Sequence, residues 1–150
     1  MLMILHDFTK KCMSTKNLEG GCLCGSIRYR VSATPFAAEY CHCSMCQKSS
    51  GAPVVSWMDF QTEQLSWTKG KPLEYKSSEN VQRGFCAICG SSLSFRDLEH
   101  PEYITLAIAS LDDPNLVKPT YHIYTASQLK WLKIDDDCNR FTAGPEKSSN

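Results

Sequence analysis

The sequence has no surplus of either charge: Lys plus Arg and Asp plus Glu both number 16, so the formal net charge is zero. A general nucleic-acid binder carries a basic excess or stripe, and this balance argues against one. No apolar run approaches the length of a membrane span. The opening MLMILHDFTKKC is only briefly apolar, is broken by His6 and Asp7, and has no basic segment ahead of it, which makes a poor signal peptide. There is no internal repeat beyond paired cysteines and no low-complexity linker. A chain of 150 residues then reads as one domain, long enough to bury a core without disulfide help.

What is abundant is cysteine. Nine is a heavy load and an odd number, which fits either a secreted disulfide scaffold or an intracellular metal protein. The thiols come as C-x-C and C-x-x-C pairs, and with no export signal the reading is a cytoplasmic, reducing-compartment protein whose cysteines hold metal. Residues 1–15 look like an extension outside the domain, which leaves Cys12 an incidental thiol. The domain is expected over 16–143, with 144–150 a flexible tail.

Period two dominates the pattern. Ile27, Tyr29 and Val31 alternate with Arg28, Arg30 and Ser32, and Ile104, Leu106 and Ile108 alternate with smaller residues. Shorter runs at Val54–Trp57, Leu73–Tyr75 and Leu93–Phe95 read as strands, separated by turns such as Gly70-Lys71-Pro72. A short helix is expected near Cys46–Ser50. The class is mainly β. Trp57, Trp67 and Trp131 are assigned to the core, Asp135-Asp136-Asp137 to a solvated turn, and Cys138 to a free thiol.

Three cysteine modules carry the chemistry. In EGGCLCGSIRY an extended C-x-C points Cys22 and Cys24 to the same face. In GFCAICGSSL, Cys86 and Cys89 form a C-x-x-C knuckle, and Gly90 stands where a left-handed backbone is often needed. Two pairs make four thiolates, a closed tetrahedral site that is structural and for which zinc is the commonest ion. The third module, YCHCSMCQKSSGAP, offers Cys41, Cys43 and Cys46 and stops at three. Three thiolates leave one place for a guest, the arrangement of a catalytic zinc. A closed Cys3His site is the competing reading. His42 is nearest, but its ring should face away from its two flanking cysteines, and of His6, His100 and His122 the last is the best placed to contribute to a pocket. Partial metal loading in the absence of ligand is a third possibility. Gln47, Lys48 and Arg83 stand beside these modules and are candidates to bind a peptide-like or carboxylate-bearing ligand; their alternative roles are a loop cap and ordinary surface cations.

Taken in order, GGCLCGSIRY, YCHCSMCQKSSGAP, RGFCAICGSSL and HIYTASQLKWLKIDDD resemble the glutathione-dependent formaldehyde-activating enzyme family, also named after centromere protein V, over roughly Leu18 to Phe141. The resemblance implies a β-tent fold of small antiparallel sheets braced by zinc. It implies a structural zinc on Cys22, Cys24, Cys86 and Cys89, and a second, active zinc on Cys41, Cys43 and Cys46. It also implies a carbon–sulfur lyase that joins glutathione and formaldehyde into S-hydroxymethylglutathione. Two other classes compete with that expectation: a glutathione carrier that accelerates nothing, and a zinc-stabilised interaction module.

Overall fold

The computed structural model describes residues 17–144. The expected N-terminal extension, with Cys12, lies outside them, as does all of the expected tail except Gly144. The strands are β1 (Leu18–Gly21), β2 (Arg28–Val31), β3 (Ala37–Cys41), β4 (Val55–Gln61), β5 (Leu65–Lys69), β6 (Leu73–Ser78), β7 (Val81–Phe85), β8 (Ser92–Asp97), β9 (Tyr103–Ala107), β10 (Tyr121–Ile123) and β11 (Asn139–Arg140). Among the described residues a single α-helix occurs, α1 (Ser44–Ser50), following β3. No helix among the described residues is long and apolar enough to cross a membrane.

The strands form two sheets. One is three-stranded and antiparallel, in the order β1-β2-β5; the other is eight-stranded, in the order β11-β10-β3-β4-β9-β8-β7-β6. The larger sheet is mixed, because β10 runs parallel to both β3 and β11. A mainly β chain was legible; a sheet this wide with parallel pairs was not, because a three-residue strand such as Tyr121–Ile123 is too short to show a period.

Alternation gives the large sheet two different faces. Ala38, Met58, Phe60, Ile104 and Leu106 point to one side, where they pack with Leu18, Tyr29 and Val31 of the smaller sheet. This is the main core, and Met58, Phe60 and Leu106 are fully buried in it. The residues between them in sequence point to the other side. Pairing aligns Cys41 with Val55, Glu39 with Trp57 and Asp59 with Thr105, while β8 sets Phe95 between Thr105 and Arg83. That second face mixes thiol, carboxylate, guanidinium and aromatic groups; Cys41, Cys46, Trp57, Ala107 and Ile123 pack there into a smaller cluster, and the face as a whole is not closed over. It lines a cavity of about 580 Å³.

The tryptophans divide. Trp57 is buried but on the cavity face, Trp67 packs half-buried against Tyr29, and Trp131 is 71% exposed, so it does not belong to the core as expected. Its segment, 128–138, has no strand or helix to turn the ring inward.

Candidate metal centres and active site

Cys22 and Cys24 leave the end of β1, and Cys86 and Cys89 sit on the turn between β7 and β8. Glycine makes both knuckles possible: Gly25 (φ 73°) and Gly90 (φ 76°) adopt the left-handed conformation and return their N–H groups to the carbonyls of Cys22 and Cys86. The four sulfurs lie within 4.8 Å of one another. Sγ of Cys22 is 3.5 Å from that of Cys24, which is 3.8 Å from that of Cys86. A tetrahedron with Zn–S spokes of about 2.3 Å has edges of about 3.8 Å, so the donor set fits that ion without rearrangement. Burial acts against charge on Cys22, but hydrogen bonds from Ser26, the Ile27 N–H and the neighbouring thiols outweigh it and hold the thiol near pKa 5. The Ser91 hydroxyl similarly lowers Cys89 to about 7. Such groups surrender protons to a metal readily.

Cys41 ends β3, Cys43 caps α1 by accepting the Cys46 N–H at 3.3 Å, and Cys46 is buried in the first turn of that helix. The helix starts two residues earlier than expected because Cys43 is itself the cap. The three sulfurs cluster within 4.8 Å, with 3.6 Å between Cys41 and Cys46. No His, Asp, Glu or further Cys joins them among the described residues. Contacts with Cys41 and Cys46 lower the Cys43 pKa, while the Cys43 contact pushes Cys41 upward.

Arg83 is the neighbour that matters most. It is 5% exposed, yet no carboxylate pairs with it among the described residues. Its two terminal nitrogens donate to Cys46 Sγ at 3.6 and 3.7 Å, Nε donates to Ser77, and the guanidinium lies 5.3 Å from the centre of the Phe95 ring. A buried cation needs an anion, and the thiol cluster is the one it has. The other two candidates are placed differently. Gln47 donates its amide to the carbonyls of His42 and Ser127, tying α1 to the segment after β10, and Lys48 lines a shallower groove with Arg83 and Tyr75.

The fully buried His42 stacks on His122 and donates from Nε2 to His122 Nδ1 at 2.8 Å. His122 Nε2 in turn meets Asp136 at 3.0 Å. Asp136 accepts, so His122 carries its proton on Nε2 and receives the His42 proton on Nδ1; this leaves the buried His42 Nδ1 as the one ring nitrogen of the pair without a partner among the described residues. Burial holds His42 below the usual histidine pKa. Neither ring joins the thiol triad. Asp136, read from sequence as part of a solvated turn, is the terminal acceptor of this chain and also pairs with Arg140 at 3.2 Å. Cys138, read as a thiol without partners, lies within 4.8 Å of His122 and Asp136.

Several cavity residues escaped the sequence reading, among them Glu39, Asp59, Tyr121 and Tyr124. Burial, together with the Asp59 charge, raises Glu39 to about 8, and burial raises Asp59 to about 6 against the pull of the Thr105 hydroxyl. For Glu39 a signal existed, since it shares the parity of Cys41 within one strand. Tyr124, at φ 55° the one non-glycine residue in the left-handed region among the described residues, had none.

Comparison with known proteins now decides the family. Residues 17–127 match the family model described as glutathione-dependent formaldehyde-activating enzyme. The chain belongs to the glutathione-dependent formaldehyde-activating enzyme family. A Halomonas elongata protein provisionally named as such an enzyme is 28% identical over 145 residues, covering 87% of this chain and 90% of that one. An uncharacterized lyase of Schizosaccharomyces pombe is 30% identical over 77 residues, 51% of this chain and 56% of the relative. A crystal structure of a Rhodobacter sphaeroides protein superposes with a TM-score of 0.54 at 22% identity, covering 67% of this chain and 96% of that one, and shares the fold. The matched family region contains all seven clustered cysteines of the two thiol sites and ends short of Asp136 and Cys138.

Proposed function

We propose that this family member is a zinc-dependent carbon–sulfur lyase that makes and breaks the adduct between glutathione, or a glutathione-like thiol, and a small carbonyl such as formaldehyde. One observation carries the reading: Cys41, Cys43 and Cys46 offer three thiols to a cavity of about 580 Å³, with no fourth ligand of the chain beside them among the described residues. Cys41, Cys43 and Cys46 would hold a zinc ion, which would supply stabilisation of thiolate over thiol near neutral pH.

The chain's own residues do the rest. Trp57, Phe95 and Ile123 form apolar wall beside the triad and keep water from the guest sulfur. The sulfur attacks the carbonyl carbon; the S–C bond forms, the π pair moves to oxygen, and the proton lost from the thiol ends on that oxygen. Tyr124 is suited to donate a hydrogen bond to the oxygen: burial and the negative charge of the three cysteines raise its pKa, so it keeps its proton. Arg83 neutralises Cys46 and steadies the triad through changes of charge. The reverse steps cleave the C–S bond, which is the lyase direction. Cys22, Cys24, Cys86 and Cys89 can close a metal's whole coordination sphere, and their part is structural. Thiols kept reduced for two metal centres suit a cytoplasmic setting.

The test is formaldehyde consumption by the zinc-loaded protein with glutathione, beside the same assay on Cys43→Ser. A rate above the uncatalysed reaction that is lost in the variant is expected. Glutathione binding with no rate enhancement would overturn the lyase in favour of a carrier, and no binding would leave an interaction module.

A further inference from the structure

We infer that Glu39 and Asp59 form a subsite for a cationic group on the thiol substrate, so that the cavity selects thiols bearing a primary ammonium some distance from sulfur. The inference rests on the triad being the sulfur site. Its evidence is separate and lies across the cavity floor.

Glu39 and Asp59 face the same side of the large sheet as Cys41. Glu39 is two residues before Cys41 on β3, about 7 Å along the strand. Asp59 opposes Ala37 on β4, two residues from the partner of Glu39, so the two carboxyls are diagonal neighbours. Measured along the strands, Asp59 lies about 13 Å from the level of Cys41. Sulfur and carboxylates thus sit at opposite ends of one cavity that both line.

The carboxylates have only neutral partners. Thr105 donates to Asp59 Oδ1 at 2.6 Å and Tyr121 donates to Glu39 Oε2 at 3.3 Å. Glu39 is 7% exposed, and its Oε1 has no hydrogen-bond donor among the described residues. The two basic side chains on the cavity wall are committed elsewhere, Arg83 to Cys46 and Ser77, and His100 to Glu102 at 3.3 Å. An acidic side chain nine-tenths buried on a cavity wall, with one neutral donor from the chain, keeps acceptor capacity for a donor that a ligand brings. A compact divalent ion is a poor candidate, because the pair does not gather with a third ligand as the cysteines do. An ammonium, with three donors and one charge, matches two spaced carboxylates.

Spacing narrows the class. A thiol with its amine two carbons from sulfur reaches about 4 Å and falls short of Glu39. In a γ-glutamyl-cysteinyl thiol the amine is eight bonds from sulfur and extends to roughly 9 Å, between the two carboxylate levels.

The experiment is calorimetric titration of the zinc-loaded full-length chain with glutathione and with glutathione acetylated on its glutamyl amine. The parent should bind glutathione about tenfold or more tightly over the acetylated form. The Glu39→Gln/Asp59→Asn variant should remove the difference, and each single variant should shrink it. These replacements keep shape and discharge a buried pair, and thermal unfolding of each checks the fold. Equal binding of both ligands by the parent overturns the subsite while leaving the thiol site standing. A preference that survives in the double variant also overturns it, as does a variant that slows turnover with both thiols alike yet keeps the preference, since that marks an acid–base role. Binding of neither thiol overturns the sulfur site and the subsite together.

Discussion

The four-thiol site ties the end of β1 to the β7–β8 turn, and its value as a cross-link follows from the sequence it spans. Cys24 and Cys86 are 62 residues apart. Closing a loop of that length in the unfolded chain costs about 4 kcal/mol in the chain-entropy account of a cross-link, and a metal that persists as a clamp stabilises by a similar amount. For a chain of 150 residues this corresponds to roughly 10–15 °C in Tm. The ends of the triad are only five positions apart, already fixed by a strand end and a capped helix, so its ion constrains much less chain. The perturbation is Cys22→Ser/Cys24→Ser, which deletes one end of the clamp. Cys24 is exposed, and any packing penalty at the buried Cys22 persists with or without metal. Scanning calorimetry of parent and variant, each zinc-loaded and stripped by chelator, isolates the cross-link. Chelation should lower the parent by about 10 °C or more beyond its effect on the variant. If chelation shifts the two proteins equally, the clamp does not exist, and the reasoning fails with it.

Three further outcomes follow from the site. Cys46→Ala takes from the buried Arg83 guanidinium the sulfur that accepts both of its terminal nitrogens and should cost about 3 kcal/mol, most of it recovered in the Cys46→Ala/Arg83→Met double variant; urea unfolding of the parent, Cys46→Ala, Arg83→Met and the double variant checks the coupling. Asp136→Ala strips the acceptor from the fully buried His122, and should lower Tm by roughly several degrees, measurable by circular dichroism. Glu39, raised above the ordinary carboxyl pKa to about 8, contributes stability that is complete below the unfolded value and is lost as pH rises through 8. Glu39→Gln should therefore gain Tm over the parent at pH 9 and gain little at pH 4; an advantage that shrinks with rising pH would contradict the sign.

Local chemistry was legible because ligand spacing is a short-range property. Cys22/Cys24 and Cys86/Cys89 announce a knuckle within three or four residues, and the alternation in Ile104–Ile108 announces a strand whose buried side is then fixed. What stayed hidden is whatever depends on distant strands meeting. Asp59 acquires significance only when β4 lies beside β3 and brings it next to Glu39. Asp136 becomes a hydrogen-bond acceptor only after β10 has delivered His122 to it. Arg83 read as a candidate for a ligand carboxylate, or else as an ordinary surface cation, because nothing near it in sequence says that it faces Cys46, 37 residues away. Tyr124 owes its position to a strained backbone angle that composition does not encode.

The parallel pairing of β10 with β3 has a consequence for a newborn chain. His42 emerges from the ribosome 80 residues ahead of the ring that will cover it. Until β10 has emerged in its turn, the cysteines on either side of it stand beside an unfinished wall. A nascent polypeptide can thus gather its thiols early, but it closes the sheet beside them only after the 80 residues that separate the two rings have followed.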